Sequence, residues 1–157
     1  AAKSLLDVGC DVIAQHQDSP GPQEAAQERG VYSIGYNTDM SRFAPKAHLT
    51  APVWNWTPYY RQVVEQVQSR TWKASSDWPG LAEGVVDLAP FGPMVPPAVR
   101  ERVQARRAEI VASRERVFAG PIADQQGTVR IPAGAVATDQ ELLGMNWFVQ
   151  GVVGTTE

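Results

Sequence analysis

Cysteine is nearly missing from this chain: Cys10 is the only one in 157 residues. No internal disulfide can form, and no cysteine cluster can hold a metal. The apolar setting of Cys10, just before Val12-Ile13, predicts a buried and inert thiol. Histidine is also scarce, with only His16 and His48. Two histidines and one cysteine are a poor basis for a transition-metal site, and neither metal nor cofactor is expected. Long apolar runs are absent, since no stretch approaches the roughly 18 residues of a membrane span. Ala1 to Leu6 has no apolar segment of the signal-peptide kind. Neither sign of charge dominates: 14 basic and 17 acidic residues leave a net charge of −3. That balance argues against nucleic acid as a partner. HExxH, CxxC, GxSxG, Walker and GxGxxG motifs are lacking, as are internal repeats and low-complexity segments.

What is present suits a soluble globular domain, with 43% hydrophobic and 20% charged residues. Helix and strand signals alternate over the first 55 residues. Ala2 to Asp7 reads as a helix stopped by Gly9. It opens without a cap, as if cut from a longer chain. Asp11 to Gln15 reads as a strand. Ser19 is placed to cap the next helix, with Pro20 and Pro22 in its first turn and Gly30 at its end. Val31 to Tyr36 is a second strand and His48 to Val53 a third extended run. Connections this short imply a parallel sheet with crossover helices.

Pro58 opens a helix with Val63, Val64 and Val67 on one stripe. Thr71 to Gly80 is a polar connection, and Val85 to Ala89 is another strand candidate. A long helix from Pro96 or Pro97 carries Val99, Val103, Ile110 and Val111 on one side. Arg100, Glu101, Arg102, Arg106, Arg107 and Glu109 form its other face, which the interleaved signs make a solvated one. A β-hairpin is expected over 118–134, turning at Asp124-Gln125-Gln126-Gly127. A short helix capped by Thr138 or Asp139, and a tail, fill 139–157.

In an open α/β sheet, ligands bind beyond the carboxyl ends of the strands. That rule selects three loops: Gln15 to Ser19, Asn37 to Met40, and Trp54-Asn55-Trp56. Together they offer His16, Asp18, Ser19, Asp39, Asn55 and the indoles of Trp54 and Trp56. Aromatic faces with a few polar groups suit a flat heterocycle. Each residue also has a plainer role. Asp18 or Ser19 can cap a helix, Asp39 can fold its own turn, and His16 can be a hydrogen-bonded structural residue. Trp54 and Trp56, two apart, point the same way if the chain is extended. Ser19, His16 and Asp18 are too close in sequence for a catalytic triad, whose members converge from separate segments. Cys10 with either histidine has no supporting context for nucleophilic chemistry.

These residues resemble a known family. The marks are Asp11 to Pro20, Gly30 to Ser41, Ala44 to Thr50, Trp54-Asn55-Trp56 with Pro58-Tyr59-Tyr60, Gly120-Pro121-Ile122, Val129 to Gly134, and Leu142 to Val149. In order, they cover essentially the whole chain. It looks like the C-terminal half of a basic membrane protein (BMP) family solute-binding protein, the substrate-binding component of an ABC importer related to purine nucleoside receptors. The resemblance implies an α/β, Rossmann-like parallel sheet with flanking helices, part of a type I periplasmic-binding fold, plus the C-terminal β-hairpin. Residues 1–157 would be one incomplete α/β unit of a two-lobed protein. The N-terminal lobe, a signal sequence and a lipid-bearing cysteine would lie upstream of Ala1. The full protein would be a periplasmic or cell-surface lipoprotein partnered by a membrane permease.

The resemblance also implies ligand contacts. An aspartate of the nucleoside-binding relatives matches Asp39. Their Gly-rich loop is replaced here by His16-Gln17-Asp18-Ser19-Pro20, and a lysine that holds the ribose is replaced by Trp54. An indole in place of an ammonium removes a donor to sugar hydroxyls and adds a stacking face. A free nucleobase such as adenine is therefore favoured over a nucleoside. Two other classes stand beside this one: an α/β enzyme acting on nucleosides, and the ligand-sensing domain of a transcription regulator.

Overall fold

The computed structural model describes residues 1–113 and 116–155. The chain divides into two compact units, Ala1–Val111 and Ala112–Glu157.

The first unit opens with α1 (Ala2–Asp7), β1 (Val12–Ala14), α2 (Gly21–Glu28), β2 (Tyr32–Ile34) and β3 (His48–Thr50). The strands form a sheet of order β1-β2-β3, parallel throughout. Val12 pairs with Tyr32 and Ala14 with Ile34. The core is small-sided: Leu6 of α1 and Ile13 of β1 pack with Ala25 and Ala26 of α2, and with Ala44 and Ala47. Alanines on α2 allow the helix to lie close to the sheet, so even short strands are covered. Cys10 is only partly buried against this cluster, so the expected full burial of its thiol is not seen.

The extended run of His48 to Val53 breaks in two. Ala51 is fully buried, and its carbonyl accepts from the Ala89 N–H at 2.8 Å. Beyond it, β4 (Pro52–Trp54) leaves the parallel sheet and pairs antiparallel with β5 (Val86–Leu88). Pro52 fits because it is the first residue of its strand, where a missing N–H costs least. The purely parallel arrangement expected from the connections therefore ends at β3.

Helix α3 (Thr57–Gln68) follows, with Pro58 in its first turn. None of its residues is buried, and Val64 and Val67 of its apolar stripe face solvent. Helix α4 (Pro97–Val111) is tied to β5 by Arg107, whose Nε and Nη2 donate to Asp87 at 2.9 and 3.0 Å. Arg100 folds back onto the carbonyls of Val95 and Gly92, at 2.8 and 2.9 Å. Two arginines of the supposedly solvated face are thus structural, and Arg106 pairs with Glu109 at 3.1 Å. Gly92 is a close-approach position. A Cβ there would lie 1.9 Å from the His48 carbonyl oxygen and 2.6 Å from Met94 Sδ.

In the second unit, β6 (Ile122–Ala123) and β7 (Val129–Ile131) form the antiparallel hairpin. Asp124 is buried in its turn. Its Oδ1 accepts from the N–H groups of Gln126 and Thr128, and its Oδ2 from Arg130 Nε at 2.7 Å. Burial pulls this carboxyl upward, but Arg130 and the two amides outweigh it and hold the group below the usual carboxylate range. Gly127 closes the turn at φ 83°, a left-handed conformation that glycine adopts freely. Helix α5 (Asp139–Leu143) begins with a capping box: Thr138 accepts from the Glu141 N–H, and Glu141 reaches back to the Thr138 N–H.

Candidate functional site

The strand ends bring the three selected loops together, and one asparagine joins them. Residue 37 forms an isolated parallel bridge with Val53, which sets the loop after β2 beside β4. Asn37 adopts φ 64°, a left-handed conformation that asparagine tolerates better than most residues. Its Nδ2 donates to Asp18 Oδ1, and its Oδ1 accepts from Trp54 Nε1. Asp18, Asn37 and Trp54 thereby connect the loops after β1, β2 and β4. The third loop follows β4 rather than the parallel sheet.

The aromatic side chains form two groups. Trp54 and Trp56 stack with centroids 6.2 Å apart and planes at 30°. Both remain open, at 41% and 49% exposure. Trp56 also touches Tyr60 at 6.2 Å and Tyr59 at 6.3 Å. Trp54, Trp56 and Tyr60, with Asn55, Arg61 and Val64, line an open hollow of about 880 Å³. In the second group, His16 meets Tyr36 at 4.4 Å between centroids. His16, Asp18 and Asp39 do not line the tryptophan hollow. A separate cleft of about 440 Å³ in the second unit contains none of the expected site residues.

Asp39 has two roles open to it. Its Oδ1 accepts from the Ser41 N–H at 2.9 Å, the self-made turn that its sequence allows. The same oxygen lies 3.8 Å from His48 Nε2. The Ser41 amide lowers the Asp39 carboxyl, and neighbouring His48 adds to the effect. His48 is buried, and its Nδ1 lies 3.0 Å from Gln23 Oε1. Burial pushes the imidazole below its ordinary value, against the pull of Asp39. Gln23 and Ser33 are buried with it, so a polar thread runs from α2 through β3 toward Asp39.

Ser19 does not cap α2. Pro20 occupies the cap position and no side chain bonds the helix start. The loop is organised by glutamines instead. The Ser19 N–H donates to Gln17 Oε1 at 3.0 Å, while its carbonyl accepts from Gln15 Nε2 and Gln17 Nε2 at 3.1 and 2.7 Å. Asn55 also has local duties, since its Oδ1 accepts from the Thr57 N–H at 3.3 Å at the start of α3. Sequence reasoning named the Asn37 loop but not Asn37 itself. The available signal was an asparagine two residues before Asp39, at the sort of bend where left-handed φ is needed.

Residues 1–115 match the family described as PnrA-like ABC transporter substrate-binding protein, Bmp. This chain belongs to the Bmp family. Two curated relatives extend the likeness along nearly its whole length. A purine-binding protein of Brucella abortus (strain 2308) is 43% identical over 97% of this chain and 43% of its own length. TsgA13 of Haloferax volcanii, named for ABC-transporter glucose binding, is 36% identical over 98% of this chain and 37% of its own. The chain therefore spans less than half the length of these relatives. Among solved structures, a solute-binding protein from Conexibacter woesei superposes with a TM-score of 0.58 at 24% identity, covering 74% of this chain and 40% of that one. A transcriptional activator of comK from Bacillus halodurans superposes at 0.64 and 24%, covering 72% and 41%. Both share the mixed α/β fold with its parallel sheet.

Proposed function

We propose that this Bmp chain supplies one wall of the ligand cleft in the solute-binding component of an ABC importer, and that the ligand is a purine, an adenine-like base ahead of a nucleoside. The stacked Trp54–Trp56 pair, joined through Asn37 to the Asp18 carboxylate, carries this reading. A flat face beside hydrogen-bond acceptors suits a heterocycle that bears ring N–H and amino groups. Asp39 adds a second acceptor on the neighbouring loop. The name of the Brucella relative supports the ligand class.

Residues 1–157 act as the C-terminal half of a two-lobed protein, and a second lobe completes the cleft. Transport needs no covalent step: two lobes close on the ligand and a membrane permease reads the closed form. The site of action is periplasmic or at the cell surface, with a lipid anchor. No helix of the described residues is long and apolar enough to cross a membrane. One wall alone binds weakly or not at all.

Titration calorimetry on the protein purified from its own source, with adenine, adenosine, uridine and glucose, tests the assignment. Adenine should bind tightest. Tight uridine or adenosine binding with no adenine binding would sink the nucleobase reading. Glucose binding alone would favour the sugar class for which the Haloferax relative is named. Release of free base from adenosine would indicate an enzyme.

A further inference from the structure

We infer that Asn37 is the positioning residue for Trp54: it fixes the indole plane and uses up the indole N–H, so that Trp54 meets a ligand through its ring faces only. The inference rests on the reading of the tryptophan shelf as a ligand wall.

The direction of each hydrogen bond follows from the groups themselves. An indole nitrogen can only donate, so Trp54 Nε1 must face the Asn37 carbonyl oxygen. The Asn37 amide nitrogen must then seek an acceptor, and the Asp18 carboxylate supplies one. No other orientation of the amide satisfies both neighbours. The charge on Asp18 polarises the amide and strengthens its oxygen as an acceptor. The backbone reinforces the register, since the Trp54 N–H donates to the Asn37 carbonyl at 3.3 Å. Trp54, 41% exposed, is thus held by one indole bond and one backbone bond to the same residue, and by the Trp56 stack.

Two consequences follow for recognition. The Trp54 side chain has no polar atom left for a ligand, so it selects for flat or CH-rich faces and contributes no hydrogen-bond specificity. Asp18 spends Oδ1 on Asn37 and keeps Oδ2 for a ligand donor. Stacking and hydrogen bonding are divided between two residues, and Asn37 sets the geometry of both.

Asn37→Gly is the direct test, because glycine keeps the left-handed backbone at φ 64° and deletes both side-chain bonds. The Trp54 indole N–H resonance, assigned with Trp54→Phe, should lose its hydrogen-bonded shift, and adenine affinity should fall about tenfold, the size of one weakened base-stacking contact. Asn37→Asp keeps an acceptor for the indole but sets a second carboxylate against Asp18. Pairing it with Asp18→Asn turns round the bond between residues 18 and 37, relieves the repulsion, and should return the indole resonance to its hydrogen-bonded position. An unchanged indole resonance in Asn37→Gly would overturn the inference, as would unchanged adenine affinity in that variant or failure of the paired variant to restore the indole shift. If the unaltered protein binds neither adenine nor adenosine, the purine reading fails, and the indole resonance still decides the role of Asn37.

Discussion

His48 Nε2 stands 3.8 Å from Asp39 Oδ1, with the imidazole 1% exposed and the carboxyl 43% exposed. The pair straddles the boundary between core and solvent. On its inner side the ring meets Gln23 Oε1 at 3.0 Å. An acceptor there places the proton on Nδ1, and among the described residues Nε2 is left without a hydrogen-bond partner. Protonation would put an N–H opposite Asp39, but only by charging a ring that burial keeps neutral.

A pH dependence follows from that pair. Burial depresses the folded His48 below its ordinary value of 6.5, and Asp39 only partly offsets this. The unfolded chain therefore binds the extra proton first as pH falls. Stability from neutral His48 is present above about 6.5 and is lost as pH drops through the depressed folded value. Melting temperature should decline between pH 7.5 and 5, and His48→Gln should flatten that decline. A variant that melts with the same pH slope as the unaltered protein would refute the assignment. The depressed Asp39 and Asp87 carboxyls act in a lower window, below their ordinary value of 3.8, so the two effects separate.

Trp54 is expected to govern ligand class. Stacking of a base on an aromatic ring is worth roughly 1–3 kcal/mol, so Trp54→Ala should weaken adenine binding by about tenfold or more. Trp54→Lys should cost adenine a similar amount and improve adenosine relative to it, because an ammonium donates to sugar hydroxyls. Parallel calorimetric titrations with both ligands measure the ratio. A ratio unchanged by Trp54→Lys would remove Trp54 as the selector.

Gly92 should be intolerant of any side chain. A Cβ at 1.9 Å from the His48 carbonyl oxygen meets backbone, which cannot rotate aside as a side chain can. Gly92→Ala is expected to cost more than about 3 kcal/mol, the range of severe strain and overpacking. Urea unfolding followed by circular dichroism gives the value. A loss below about 1 kcal/mol, well within the ordinary range, would show that the 92–95 turn can move.

Local chemistry makes several elements legible in the amino-acid sequence. Pro58 in the first turn of α3, the Thr138–Glu141 box at the start of α5 and the Asp124-to-Gly127 turn each depend on neighbours a few residues apart. The nearness of the loops after β1 and β2 also follows from the order of strands and helices, whereas Trp54 arrives on β4, outside the parallel sheet. The apolar stripe of α3 is legible as a pattern, but not that none of its residues is buried.

Sequence by itself determined the alternation of strand and helix around β1, α2 and β2, because periodicity, prolines and glycines act over a single turn or strand. Only tertiary structure decided that His48 to Val53 splits at Ala51. The Ala89 N–H that claims the Ala51 carbonyl comes from a residue 38 positions away, and no local signal encodes it. The same holds for Asn37. Its hydrogen bonds reach 19 residues back to Asp18 and 17 forward to Trp54, so its role exists only once three strand ends have met.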